Sequence, residues 1–293
     1  MRKTLHMVLS VFAISFFPAF GGEEALRPPD RPQQQQQTVT PQQAVAMIVD
    51  AAEKGNQAAM LNLGSMYERG IGVPRNYTKA FDWYMKAADS GLPEGFYNIG
   101  VCYEIGMGVT ADEAKAFEYF ERSAGMGQSQ GLYKLASLYF AGLGVERNEA
   151  WGVELLKRAA GMGHQNAIND LGVIYHEGAF GQAKDLTQAF ARFSAAAELG
   201  NAGAMKNLAV IYRDGPSGGE PDPALALKWY TLSKLAGYPA EAVDPLIAEL
   251  RTALGEESAA AVAREVQAWV EAFQKRAAEA SAANQAAPQP AVD

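Results

Sequence analysis

The sequence predicts an all-α fold, a right-handed superhelical solenoid of helix-turn-helix repeats. Tyr67, Tyr103, Tyr139, Tyr175 and Tyr212 recur at intervals of 36, 36, 36 and 37 residues. Gly70, Gly106, Gly142, Gly178 and Gly215 keep that phase, as do Asn76, Asp112, Asn148, Asp185 and Asp222, and each period closes on Gly91, Gly127, Gly163, Gly200 or Gly237. No stretch alternates apolar and polar residues as a half-buried strand would. A fixed period of this length marks stacked helical hairpins, because one hairpin cannot bury its own apolar face.

The chain begins with Arg2 and Lys3, then an apolar stretch from Met7 to Phe17, then Pro18, Ala19, Phe20 and Gly21. This is the three-part pattern of a secretory signal peptide over residues 1–21, too short to span a bilayer, with the cut expected after Gly21. The mature chain is therefore expected to be exported, periplasmic or secreted, and not inserted in a membrane. Residues 22–40, with Pro28, Pro29, Pro32 and the run Gln33 to Gln37, read as a disordered linker. Residues 41–55 carry Ala44, Val45, Ile48 and Ala52 on one helical face and end at Gly55, which predicts an N-terminal capping helix.

Five repeats follow over residues 56–237, at 56–91, 92–127, 128–163, 164–200 and 201–237. In the first helix of the first repeat, Ala59, Leu63, Met66 and Tyr67 form one apolar stripe. Small residues at Gly64, Gly100, Ala136, Gly172 and Ala209 let a neighbouring helix come close. The glycine after each tyrosine is expected in the left-handed cap position, and the Asn/Asp register at the N-cap of the second helix. Second helices carry rings and alanines, such as Ala80, Trp83, Tyr84, Ala87 and Ala88, then Phe117, Phe120 and Ala124. After Gly237 the repeat fades. Val262, Val266, Trp269, Val270 and Phe273 predict C-terminal capping helices within residues 238–279, with Pro245 starting or kinking the helix ahead of them, and residues 280–293 read as a disordered tail.

The string Ala59-x3-Leu63-Gly64-x2-Tyr67-x2-Gly70-x-Gly72-Val73, continuing to Lys79-Ala80-x2-Trp83-Tyr84-x-Lys86-Ala87-Ala88, resembles the Sel-one-like (SLR) repeat, a relative of the tetratricopeptide repeat. The third copy departs, with Gly152, Val153 and Leu156 in place of the aromatic set, and the fourth inserts a residue in Gly178-Ala179-Phe180-Gly181. The resemblance implies a scaffold that assembles protein complexes, and exported bacterial members are similar to regulators of envelope processes. It also implies two rival readings, a secreted factor that contacts a host and a β-lactamase-like or penicillin-binding enzyme. Relatives of the second kind are cysteine-rich, whereas this chain has the single Cys102, expected as a buried apolar residue.

The chemistry of an enzyme is hard to assemble from these residues. Gly127-Gln128-Ser129-Gln130-Gly131 fits G-x-S-x-G, but Gly127 closes the second repeat and no strand precedes it, as a nucleophile elbow requires. His164 and His176 fall in different repeats and registers, with no metal-ligand spacing around them. No phosphate-cradling glycine motif occurs. No catalytic residue, cofactor or metal is expected. With 33 acidic against 25 basic side chains, 23 once Arg2 and Lys3 are removed, the net charge moves from −8 to −10 and disfavours nucleic acid as a partner.

The expected partner is a protein or peptide in the concave groove lined by the first helices. Stepping 100° per residue away from Leu63 and Tyr67 gives the rows Leu61, Tyr97, Tyr133, Asn169, Lys206 and Glu68, Glu104, Phe140, His176, Arg213, flanked by Asn62, Asn98, Lys134, Asp170 and Asn207. Tyr97, Tyr133 and Phe140 are expected as an aromatic anchor cluster, with Asn98 and Lys134 beside it to bond a peptide backbone or carboxylate, and His176 is a further candidate on the same face.

Overall fold

The structure, a computed structural model, describes residues 40–215 and 219–286. The described residues form twelve helices and no strand. The fold is an all-α helical-repeat array, and it divides into two compact units, Met1–Met126 and Gly127–Asp293. The signal-peptide stretch and residues 22–39 of the linker reading lie outside the described residues.

The first unit holds α1 (Pro41–Glu53), α2 (Gln57–Arg69), α3 (Tyr77–Asp89), α4 (Pro93–Ile105) and α5 (Glu113–Gly125). The second holds α6 (Ser129–Ala141), α7 (Glu149–Gly161), α8 (Gln165–Glu177), α9 (Leu186–Glu198), α10 (Ala202–Asp214), α11 (Pro223–Leu235) and α12 (Ala240–Ala286). Thr40, assigned to the linker by composition, instead caps α1: its hydroxyl accepts from Gln43 N and the Gln43 side chain returns to Thr40 N. Ala44, Ile48 and Ala52 of α1 then pack with Ala59, Met60 and Leu63 of α2.

Each hairpin is held by the same local bonds. The side chains of Asn76, Asp112, Asn148, Asp185 and Asp222 accept from the amides three residues on, at 3.0, 3.0, 3.0, 2.9 and 2.8 Å. Their own amides donate back to the carbonyls of Tyr67, Tyr103, Tyr139, Tyr175 and Tyr212 at 2.8, 2.9, 3.0, 2.8 and 2.7 Å. That backbone bond ties the end of one helix to the cap of the next, which is why tyrosine and Asn/Asp keep phase. Gly70, Gly106, Gly142 and Gly178 take the left-handed cap, at φ of 71°, 71°, 71° and 72°. Gly215 does not. It sits at φ 91°, ψ 120°, and a Cβ there would meet Gly219 O at 2.2 Å.

Of the tyrosines that the spacing places on the buried stripe, Tyr175 alone is buried. Ala59, Met60, Leu63 and Met66 are buried, while Tyr67, Tyr103, Tyr139 and Tyr212 are half-buried. These rings serve the seam between hairpins. Phe81 of α3 meets Tyr103 of α4 edge-on at 5.7 Å, and Phe190 of α9 meets Tyr212 of α10 in the same way at 5.9 Å.

Inside a hairpin the close contact is a ring on a glycine. A Cβ on Gly64, Gly100 or Gly172 would lie 2.5, 2.7 or 2.6 Å from Tyr84, Phe120 or Phe193. The third repeat reverses the arrangement. Ala136 and Leu156 occupy those two positions, and the ring comes from the first helix: a Cβ on Gly152 would meet Phe140 at 2.8 Å. Phe180, from the inserted loop and at φ 52°, stacks on Phe140 with centroids 4.5 Å apart. The departures at Gly152, Leu156 and Phe180 therefore belong together as one repacked contact around Phe140 that joins the third repeat to the loop of the fourth.

Two further differences concern α12. The helix begins at Ala240 and carries Pro245 within it; the break falls at Gly255, with φ 78° and ψ 166°. Near a helix start proline forfeits little of the ladder, whereas glycine at positive φ interrupts it. Beyond the break Val262 and Val266 are buried, and Trp269 packs edge-on against Trp229 of α11 at 6.3 Å and stacks on Phe273 at 5.1 Å. Phe273 reaches Gly200, and Arg276 bonds Glu198 at 3.1 Å. The helix also continues to Ala286, past residue 280 where composition starts a tail, because its alanine-rich sequence favours helix up to the approach of Pro288.

Cys102 lies in the first unit's core at 0 % exposure, among Ala80, Tyr84, Ala88, Ile99 and Met107. Burial, with a smaller contribution from the Glu68 carboxylate, leaves its thiol pushed up to about 12.

Two outcomes follow from this packing. Replacing Gly172 by alanine removes a helix glycine, a gain of about 0.5–1 kcal/mol. Phe193 is only 3 % exposed and has no room to step aside, so the clash wins and stability falls by about 1–3 kcal/mol. Adding Phe193→Leu recreates the alanine and leucine of the third repeat, and the double variant is expected to be more stable than the sum of the single changes in chemical denaturation. At pH 8 a thiol held at about 12 is thiolate in about one molecule in ten thousand. An aromatic disulfide reagent is thus expected to label Cys102 stoichiometrically in denaturant and very slowly in the folded protein; fast native labelling would contradict its burial.

Candidate partner-binding surface

The surface of interest is the face of the first helices that the hairpin core leaves free. In the first unit it includes Leu61, Asn62 and Glu68 of α2 and Tyr97, Asn98 and Glu104 of α4, all half-buried. Tyr97 leans on the Phe120 ring at 5.7 Å, and Glu68 accepts a 2.5 Å hydrogen bond from the Tyr84 hydroxyl. Burial first, and then this carboxylate, raises the Tyr84 hydroxyl above the usual phenol range.

The other four candidates, Tyr133, Lys134, Phe140 and His176, belong to the second unit. Phe140 does not stand ready as an anchor, since its ring is taken up by Gly152 and Phe180. His176 is exposed near the end of α8, and Lys134 is half-buried. Tyr133 is engaged twice: its ring stacks on His164 at 4.6 Å and its hydroxyl donates to Asp170 Oδ2 at 2.9 Å. His164 in turn caps α8, its Nδ1 accepting from Ala167 N at 3.2 Å. Burial lowers the His164 pKa against an opposing effect of Asp170, which keeps the ring neutral and able to accept.

From Tyr133 a row of hydrogen bonds runs over three successive first helices. Asp170 Oδ1 accepts from Asn169 Nδ2 at 3.1 Å, and Asn169 Oδ1 accepts from Asn207 Nδ2 at 3.0 Å. Lys206 Nζ approaches Asn207 Oδ1 at 3.4 Å. A second cross-repeat bond, Asn201 Nδ2 to Asn166 Oδ1 at 2.7 Å, fixes the same helices near their starts. Tyr133, Asn169, Asp170, Lys206 and Asn207 are all half-buried, so the row is positioned by the fold yet reachable from solvent. Asp170, Asn169 and Asn207 fall in the rows that the 100° step marks out, but pairing between repeats is not visible along a single helix. His164 hides behind its place directly after a closing glycine, a capping register it shares with Asn56, Gln128 and Asn201.

This surface suits recognition by hydrogen bonds and ring contacts. Ser129 lies in the first turn of α6 and its hydroxyl donates to Gln130 Oε1 at 3.2 Å. Among the described residues no three His, Cys, Asp or Glu side chains converge as metal ligands, and no helix is long and apolar enough to cross a membrane.

Comparison with known proteins places these observations. The search of curated proteins returns no match. Among solved structures the chain is similar to a Sel1 repeat protein from Oxalobacter formigenes, with 28% identity and a TM-score of 0.67 over 82% of this chain and 96% of that one. It is also similar to a protective antigen present in uropathogenic Escherichia coli strains and displaying an SLR fold, at 29% identity and TM-score 0.58, where the match covers 78% of this chain but 50% of that one. An immunity protein from Pseudomonas aeruginosa, at 22% identity and TM-score 0.53 over 80% of this chain and 82% of that one, shares the fold. The Sel1 repeat family model matches residues 57–92, 93–128, 129–164, 165–201 and 202–238, one residue later at each start than the tyrosine and glycine phase suggests. Five matched repeats occupy more than half of the sequence, and the chain belongs to the Sel1 repeat family.

Proposed function

We propose that this protein is an exported interaction scaffold of a bacterial envelope, holding a segment of another protein against the faces of its first helices. Sel1 repeat proteins generally mediate protein–protein interactions. The observation that carries the reading here is the row Tyr133–Asp170–Asn169–Asn207, in which polar side chains are pinned across three repeats and remain half-open to solvent. Groups positioned before binding lose little side-chain freedom on meeting a partner. In the first unit Tyr97 and Asn98 offer the matching combination of ring and amide. Export rests on Arg2, Lys3 and the apolar stretch to Phe17.

Contact with a host is the second reading, favoured by the likeness to the protective antigen of uropathogenic Escherichia coli. A hydrolase reading lacks comparable support: the Cys102 thiol is buried and held far above neutrality, and Ser129 sits in a helix bonded to Gln130.

The test is capture of a partner by the full, tagged chain from the envelope fraction, repeated with Tyr97→Ala, Asn98→Ala and Tyr133→Phe. A stoichiometric partner is expected, bound about tenfold or more weakly by the variants. The captured chain is expected to begin at Gly22. Retention that none of the three changes affects would remove the surface, and absence of any partner would remove the scaffold reading.

A further inference from the structure

We propose that His164 is an acid-sensitive latch on the first-helix face of the second unit: as a neutral ring it caps α8 and backs Tyr133, and on taking up a proton it lets go of both. The consequence for a partner rests on the scaffold reading above, whose surface this would regulate; the latch itself rests on the chain alone.

The position is set by the repeat. In four of the five first helices the residue after the preceding closing glycine accepts from the amide three residues on: Asn56 from Ala59 at 2.9 Å, Gln128 from Gly131 at 2.8 Å, His164 from Ala167 at 3.2 Å and Asn201 from Ala204 at 2.8 Å. A side-chain amide oxygen accepts at any pH, whereas an imidazole nitrogen accepts only while it carries no proton. Of the four caps, His164 alone titrates.

What the proton does follows from the geometry. Imidazolium presents N–H at both nitrogens, so Nδ1 would aim a proton at the Ala167 amide and bring positive charge to the positive end of α8. The cap is lost. The same ring stacks on Tyr133 of α6 with centroids 4.6 Å and planes 24° apart, and the Tyr133 hydroxyl holds Asp170 Oδ2 at 2.9 Å. Movement of the imidazole therefore removes the support of the residue that heads the row.

The surroundings favour the neutral ring. The charged group that faces it is Asp170 of α8 itself; α6 brings the Tyr133 ring, and α7 the Ala159 carbonyl, which accepts from the His164 amide at 3.1 Å. At the start of α10, Asn201 bonds Asn166 and carries no charge. Lys134 adjoins Tyr133 on α6 and Arg158 lies in the last turn of α7, but the influences that bear on the ring are burial and Asp170. Asp170 favours the imidazolium, yet its two oxygens already accept from Tyr133 and Asn169. Burial outweighs it and holds the His164 pKa below its ordinary 6.5. The contribution of this ring to stability is thus complete above pH 6.5 and declines as the pH falls below it, because the unfolded chain takes the proton first.

The experiment titrates the imidazole resonances of the purified full chain by nuclear magnetic resonance between about pH 8 and pH 5. His164→Asn, which installs the cap of the first and fifth repeats, assigns the His164 signal by its loss, and the exposed His176 is the reference. His164 is expected to titrate at lower pH than His176, and the Tyr133 ring and Ala167 amide signals are expected to move at the same midpoint. In chemical denaturation the natural chain is expected to lose stability relative to His164→Asn as the pH falls below 6.5. His164→Gln, the cap of the third repeat, is expected to do the same should Asn disturb the turn. A His164 midpoint at or above that of His176, Tyr133 signals that stay still through it, or one pH dependence shared by the natural chain and both variants would each overturn the proposal. A partner captured from the envelope is expected to be held about fivefold or more weakly on the acid side of the transition, a loss that His164→Asn lessens. No loss, or an equal loss in both, would overturn the regulation while leaving the scaffold reading intact. Absence of any partner would remove the scaffold reading alone, since titration and denaturation are read on the chain by itself.

Discussion

The structure depends on one backbone hydrogen bond repeated in all five hairpins, from the amide of an N-capping Asn or Asp to the carbonyl of the tyrosine that ends the preceding helix. A helix end leaves carbonyls without partners and a helix start leaves amides without partners. Here one deficit satisfies the other. The same Asn or Asp uses its side chain to cap the second helix, so a single residue determines where one helix stops and where the next starts. Gly215 shows which component is dispensable: it leaves the left-handed cap position, yet Asp222 N still reaches Tyr212 O at 2.7 Å.

With the turn held by backbone, the side chains are released for packing and for the surface. Half-buried tyrosine rings become the seam against the ring of the preceding hairpin, as in Phe81 with Tyr103 and Phe190 with Tyr212, whereas Tyr175 joins the core. Within the hairpins a large ring needs a position without a Cβ opposite it. Gly64, Gly100 and Gly172 supply one on the first helix, and Gly152 supplies it on the second. The positions that neither seam nor hairpin requires are those of the first-helix face. There the chain has placed Asn169, Asp170 and Asn207 in register, and one bond per repeat is enough to link them.

What the sequence discloses, and what it withholds, follows from the range of each constraint. Tyrosine, glycine and Asn/Asp are legible because their partners lie within one turn of chain and leave few residue types able to serve. The exchange at the third repeat is not, because Leu156 alone reads as a lost ring; only the contact of Phe140 with Gly152 and Phe180 reveals where the ring has gone. Phe140 therefore reads as a groove anchor by helical stepping while its ring is occupied inside the unit. His164 is masked by chemistry, as a histidine acting where Asn and Gln act in other repeats. The extension of α12 to Ala286 is masked by composition, since an alanine-rich stretch suits a helix and a tail equally.

The most direct measurement is amide hydrogen exchange at Asn76, Asp112, Asn148, Asp185 and Asp222, read by nuclear magnetic resonance. These residues border exposed loops, where amides ordinarily exchange quickly. If each is bonded to a tyrosine carbonyl at 2.7–3.0 Å, all five should exchange only when their hairpin opens, as slowly as the amides inside the helices they cap. Exchange at the rate of the surrounding loop in most of the five would mean that the hairpins are joined by something other than this bond.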